Sequence, residues 1–93
     1  MPTNPARAAA LRATIVALRK RMGLTSKSTL FEGMDVNTGL ERIAGNMERL
    51  WGDLQRKPGR IAELEDVDLS DRYGLTIVDA DSILQRLKKG WRP

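Results

Sequence analysis

Between Leu40 and Leu54 the residues Leu40, Ile43, Met47, Leu50 and Leu54 recur at alternating steps of three and four, with Ala44 and Trp51 beside them. Such spacing keeps side chains on one side of an α-helix, so the stretch is predicted to be a helix over 39–56 with a broad apolar face. Thr38 followed three residues later by Glu41 has the form of a capping box, in which hydroxyl and carboxylate each satisfy a free backbone N–H. Pro58 and Gly59 stop it. A second stripe, Ala8, Leu11, Ile15, Leu18 and Met22, has the same period. Asn4 is its N-cap, Pro5 its first helical residue and Gly23 its left-handed stop, so a helix is predicted over 5–22. Two matching stripes imply that the helices pack as an antiparallel or coiled-coil-like pair. Trp51→Ala is then expected to cost about 3–5 kcal/mol as a core truncation.

The rest of the chain carries shorter patterns. Thr25 could cap a single turn holding Leu30 and Phe31, with Phe31 as a plug for the end of the helix pair. Ile61, Leu64, Val67 and Leu69 are apolar anchors in a charged stretch that reads as a short helical turn, a bend near Asp66, and a short helix near 67–73 ending at Gly74. Thr76 with Asp79 forms a second capping pair, opening a helix over 77–89 that Gly90 terminates. Its inward face is Ile77, Ala80, Ile83, Leu84 and Leu87, and Trp91 is placed to fold back on its last turn. Arg-x-Gly-Leu-Thr occurs twice, at Arg21–Thr25 and Arg72–Thr76, each time where a helix stop meets a helix start. Nothing beyond those residues aligns, so this is shared capping chemistry rather than an internal repeat. The expected fold is a single all-α domain over 1–93, a small bundle of about four helices.

Ninety-three residues with 41% hydrophobic and 30% charged content suit a folded globular chain rather than a disordered one. A domain this small buries only about 60% of its unfolded surface, which leaves little room for a spacious catalytic cleft. There is no Cys and hence no thiolate site, and with no His the commonest general base and metal ligand are both missing. No motif couples a nucleophile to a base. Asp66, Asp68 and Ser70 imitate a calcium loop, but Asp71 stands where its glycine belongs and Ile77 where its bidentate Glu belongs. Ser26, Lys27 and Ser28 fail in the same way as a phosphate loop. No enzymatic activity, cofactor or metal is therefore expected. The apolar runs are too short to cross a bilayer, and Arg7 and Arg12 interrupt the only candidate leader, so a cytoplasmic or other intracellular setting is expected. The first helix is rich in Ala and lacks large aromatics, which argues against membrane-surface binding.

The net charge of +4 is unevenly placed: residues 1–27 carry +6 with no acid, 28–56 carry −2, and 57–93 sum to zero. Arg7, Arg12, Arg19, Lys20 and Arg21 on the first helix, and Lys88, Lys89, Trp91 and Arg92 in the tail, are the candidate contacts for nucleic acid or an acidic partner. Cations in the last turn of a helix are also favoured by its dipole, which is the simpler account of Arg19, Lys20 and Arg21.

Residues 66–85 resemble a helix-turn-helix. Leu69, Ser70, Tyr73, Gly74, Leu75, Ala80 and Ile83 fall on that motif's apolar, small and glycine positions. The resemblance implies a second helix able to enter a major groove, presenting Thr76, Val78, Asp79, Asp81 and Ser82. Two carboxylates with no local Arg or Lys to offset them argue against DNA reading by that helix.

The leading expectation is a non-catalytic interaction module, an adaptor or assembly subunit of the phage-like kind or of the kind found in nucleoprotein particles. Its partners would be other protein subunits, identical or different, with nucleic acid as a further candidate. Leu11, Ile15, Leu18, Leu40, Ile43, Met47, Leu50, Trp51 and Leu54 form the candidate packing or oligomer seam, because this apolar inventory is large for so small a chain. The alternative is a small helix-turn-helix DNA-binding regulator.

Overall fold

The Asn4 side chain accepts the backbone N–H of Arg7 at 3.2 Å and Pro5 occupies the first turn, so the first helix starts where its capping chemistry requires. In the computed structural model, which describes residues 4–25 and 37–93, it is the first of five helices, with no strand among the described residues. They are α1 (Pro5–Arg21), α2 (Asn37–Arg56), α3 (Pro58–Ala62), α4 (Asp66–Tyr73) and α5 (Ile77–Lys88). The protein is a small all-α bundle. The turn expected around Leu30 and Phe31 lies outside the described residues, as does the side chain of Thr38. Glu41, the other half of that expected capping box, pairs instead with Arg7 of α1 at 2.7 Å.

The two stripes do meet, in the largest helix–helix interface of the molecule. They meet in one direction only. Arg7 and Glu41 join the N-terminal turns of α1 and α2, Ala8 and Ile15 share a small cluster with Leu40 and Ala44, and Leu18 and Met22 share the main cluster with Met47, Leu50 and Leu54. α1 and α2 therefore run parallel, which excludes the antiparallel arrangement. Period alone carries no direction, because a stripe matches its partner equally well either way up.

The main cluster sits towards the C-terminal ends of α1 and α2, where Ile61 of α3, Leu69 and Tyr73 of α4, and Ala80, Ile83, Leu84 and Leu87 of α5 close over it. Burying each such aliphatic side chain is worth about 1.5–3 kcal/mol. Pro58 ends α2 and begins α3, since proline lacks the N–H an interior position needs yet suits a first turn.

Three expected anchors lie elsewhere than on the inward face. Val67 is 52% exposed, because it is two residues from Leu69 and so points away from the side that Leu69 and Tyr73 bury. Ile77 is 46% exposed: a helical side chain leans towards the N-terminus, so at the first position of α5 it projects past the packed turns. Trp51 is only half-buried, packed on the rim of the main cluster beside the fully buried Leu50.

The repeated Arg-x-Gly-Leu-Thr stretches fold alike. Gly23 and Gly74 take φ of 70° and 62°, a left-handed conformation costly for any side chain with a Cβ. Each lets the following leucine N–H turn back to the helix, Leu24 to the Arg19 carbonyl at 2.9 Å and Leu75 to the Ser70 carbonyl at 3.1 Å. Both leucines are buried, the apolar contact that completes a Schellman cap.

Candidate interaction surface

Of the nine residues put forward as contacts to an acidic partner, Arg19 alone is buried. Its Nη1 lies 2.6 Å from Asp79 Oδ2 on α5. Arg19 is therefore not part of a solvated helix end. Asp79 is correspondingly not an outward residue of a reading helix, being 1% exposed. The reason is visible in its register: Asp79 is one turn from Ile83 and lies next to Ala80, so it shares the inward face of α5. The expectation that no cation offsets the acids of that helix fails here, because the cation comes from α1.

Arg7 is engaged with Glu41, although both side chains remain about half exposed. Arg12 is partly buried along α1. Trp91 does fold back: its N–H reaches the Arg86 carbonyl at 3.0 Å, and it packs against the main cluster. Its ring is not an open stacking platform, since the Arg86 guanidinium lies over it with 4.6 Å from carbon to centroid.

Arg86 has a second neighbour. A Cβ added to Gly23 would stand 1.4 Å from Arg86 Nη1, so the guanidinium occupies the space left by the missing side chain. The last turn of α5 is thereby set against the end of α1. Lys20 and Arg21, at the end of α1, come to the same end of the molecule as Lys88, Lys89 and Arg92. All five are exposed, and none forms an ion pair with a described carboxylate. Two segments more than sixty residues apart in the chain thus make one basic end, with Arg86 as the joint.

The candidate seam is mostly spent within the chain. Ile15, Leu18, Leu40, Met47, Leu50 and Leu54 are buried, while Leu11, Ile43 and Trp51 are partly covered at the edges. Among the described residues the exposed large apolar side chains are instead Val16, Val67, Ile77 and Val78.

Residues 66–85 do form two helices about a left-handed glycine, α4 and α5. The outer side of α5 presents Val78, Asp81 and Gln85, and the Gln85 amide sits 3.5 Å from the Asp81 carboxylate. Opposite this corner, α2 is tied to α4 by polar contacts that sequence patterns did not indicate. The Tyr73 hydroxyl donates to Asp53 Oδ2 at 2.7 Å, Arg49 lies over the Tyr73 ring at 4.8 Å, and Arg49 also donates to the Arg72 carbonyl. The bond from Tyr73 holds the Asp53 carboxyl below the usual carboxylate range, helped by Arg56 against the opposing effect of burial. Burial, then the bond to Asp53, pushes the Tyr73 phenol up.

Nothing in this geometry resembles a metal centre: no cluster of three or more ligand-type residues occurs among the described residues. Nor is any described helix long and apolar enough to cross a membrane. Comparison with known protein families, curated proteins and solved structures finds no match for this chain.

Proposed function

We propose that this protein is a non-catalytic interaction module, an adaptor or assembly subunit that engages an acidic partner through the basic end formed by α1 and α5. The observation that carries this reading is the seating of Arg86 against Gly23, which joins two cationic helix ends. A helix dipole accounts for cations at each C-terminus separately. It gives no reason to bring two such ends together, where like charges repel, and a concentrated field of one sign steers an oppositely charged partner.

Titrating fluorescently labelled polyglutamate and a labelled random-sequence duplex at two salt concentrations tests the proposal. Binding to at least one probe that weakens with salt supports it; binding to neither overturns it. Two observations favour a second reading, a helix-turn-helix regulator: the α4–Gly74–α5 corner and the withdrawal of Asp79 from the outer face of α5. Asp81 still stands on that face. The regulator reading requires a preference among duplex sequences that is lost on Gln85→Ala, whereas the basic-end reading expects similar binding to all duplexes.

A further inference from the structure

A cleft of about 440 Å³, lined by none of the residues of the basic end, opens between α3 and α4. Its volume suits a small-molecule ligand. Three cations line it: Lys57 from the α2–α3 junction, Arg60 from α3 and Arg72 from the last turn of α4. All three are exposed and none forms an ion pair with a described carboxylate. Glu63 is the one acid in the lining, so the cleft carries an excess of positive charge.

These residues converge through the core. Ile61 anchors α3, Leu69 and Tyr73 anchor α4, and all three belong to the main cluster, so the two basic elements are held on rigid supports. Other groups nearby are already committed. The Tyr73 hydroxyl is given to Asp53, and Arg49 fixes the end of α4 through the Arg72 carbonyl. Arg60 and Arg72 line the cleft as exposed cations, and Lys57, whose charge also acts on Asp53, lies at its edge. Guanidinium groups match phosphate with paired hydrogen bonds, and a lysine adds a point charge without a fixed geometry. Ile61 and Leu64 supply an apolar wall for the body of a ligand.

We infer that the α3–α4 cleft binds a phosphate group, held by Arg60 and Arg72 with Lys57 completing the charge. Such a group is carried by free phosphorylated molecules and by the nucleic-acid backbone, and both sources present the same oxygens. This site is separate from the basic end and does not depend on it.

The test is to titrate the full chain with pyrophosphate, and in parallel with a short duplex, following backbone amide NMR shifts. The expected result is saturable shifts at residues 57–64 and 70–74 with at least one of the two probes, whatever the duplex does at the basic end. Arg60→Gln and Arg72→Gln should each weaken that binding about tenfold, the consequence of losing one charge-assisted contact. Lys88→Gln with Lys89→Gln should leave it unchanged. Shifts with pyrophosphate identify a free phosphorylated ligand, and shifts with the duplex alone identify backbone phosphate. Both Arg side chains are exposed, so the variants are expected to keep the parent melting temperature, which circular dichroism verifies. Absence of shifts at residues 57–64 and 70–74 with both probes overturns the inference, as do shifts there that are indifferent to Arg60→Gln and Arg72→Gln.

Discussion

Arg19 on α1 and Asp79 on α5 form a buried ion pair at 2.6 Å, linking residues sixty positions apart. Their side chains are 11% and 2% exposed. A pair so placed gains little over an apolar pair of the same shape, yet removing one partner strands a charge in the core. Asp79→Ala is therefore expected to destabilise the fold by about 3–5 kcal/mol, whereas the double variant Arg19→Met with Asp79→Leu should recover most of the loss. Urea unfolding of the parent and the two variants checks both halves.

That pair also shows what the sequence made legible. Position 79 falls on the inward register of α5, and position 19 lies one turn after Ile15, so both placements follow from period. Both residues nonetheless read as outward ones, because charged side chains seldom bury and no sequence pattern links a cation on one helix to an acid on another. The helices themselves were readable because start and stop signals act locally: Asn4 with Pro5, Thr76 accepting the Asp79 N–H, and Gly23 and Gly74 all do as their chemistry requires. The parallel sense of α1 and α2, the exposure of Val67 and Ile77 and the joining of two basic ends depend on which helix lies beside which. That is decided by the whole chain at once.

Leu50 and Trp51 are neighbours in sequence and differ in burial. Leu50 is fully buried in the main cluster, so Leu50→Ala should cost about 2–5 kcal/mol. Trp51 sits on the rim, and Trp51→Ala should cost about 1–3 kcal/mol, below the range for a buried aromatic. Thermal and urea melts of the two variants are expected to rank in that order.

Tyr73→Phe removes the largest of the influences that lower the Asp53 carboxyl. The Asp53 titration, followed by carboxyl NMR, should move up towards the ordinary carboxylate range. Because the folded-state value is depressed, the stability it confers is present above the unfolded carboxylate range and fades as pH falls through the folded value. Tyr73 shifts upward, so its contribution is complete below the unfolded phenol range and is lost as pH rises through the folded value. Relative to Tyr73→Phe, the parent protein should thus lose stability at both pH extremes.

Gly23→Ala meets two obstacles, a left-handed backbone and the Arg86 guanidinium. The backbone conformation alone should cost about 1–2 kcal/mol. The guanidinium must also leave its seat, and since it lies over Trp91, a change in the Trp91 fluorescence should accompany the loss of stability. Gly90→Ala, also left-handed but with nothing near its Cβ position, should show the backbone cost without displacing Arg86.

The central claim is that the ends of α1 and α5 act as one surface, and the most direct measurement is the salt dependence of polyanion binding in two paired variants. One carries Lys20→Gln with Arg21→Gln, the other Lys88→Gln with Lys89→Gln. On duplex DNA each neutralised contact should lower the slope of log K against log salt by about 0.9. Both pairs should flatten the slope to a similar extent, on duplex or on polyglutamate, whichever binds. A slope that responds to one pair and ignores the other would contradict a composite surface.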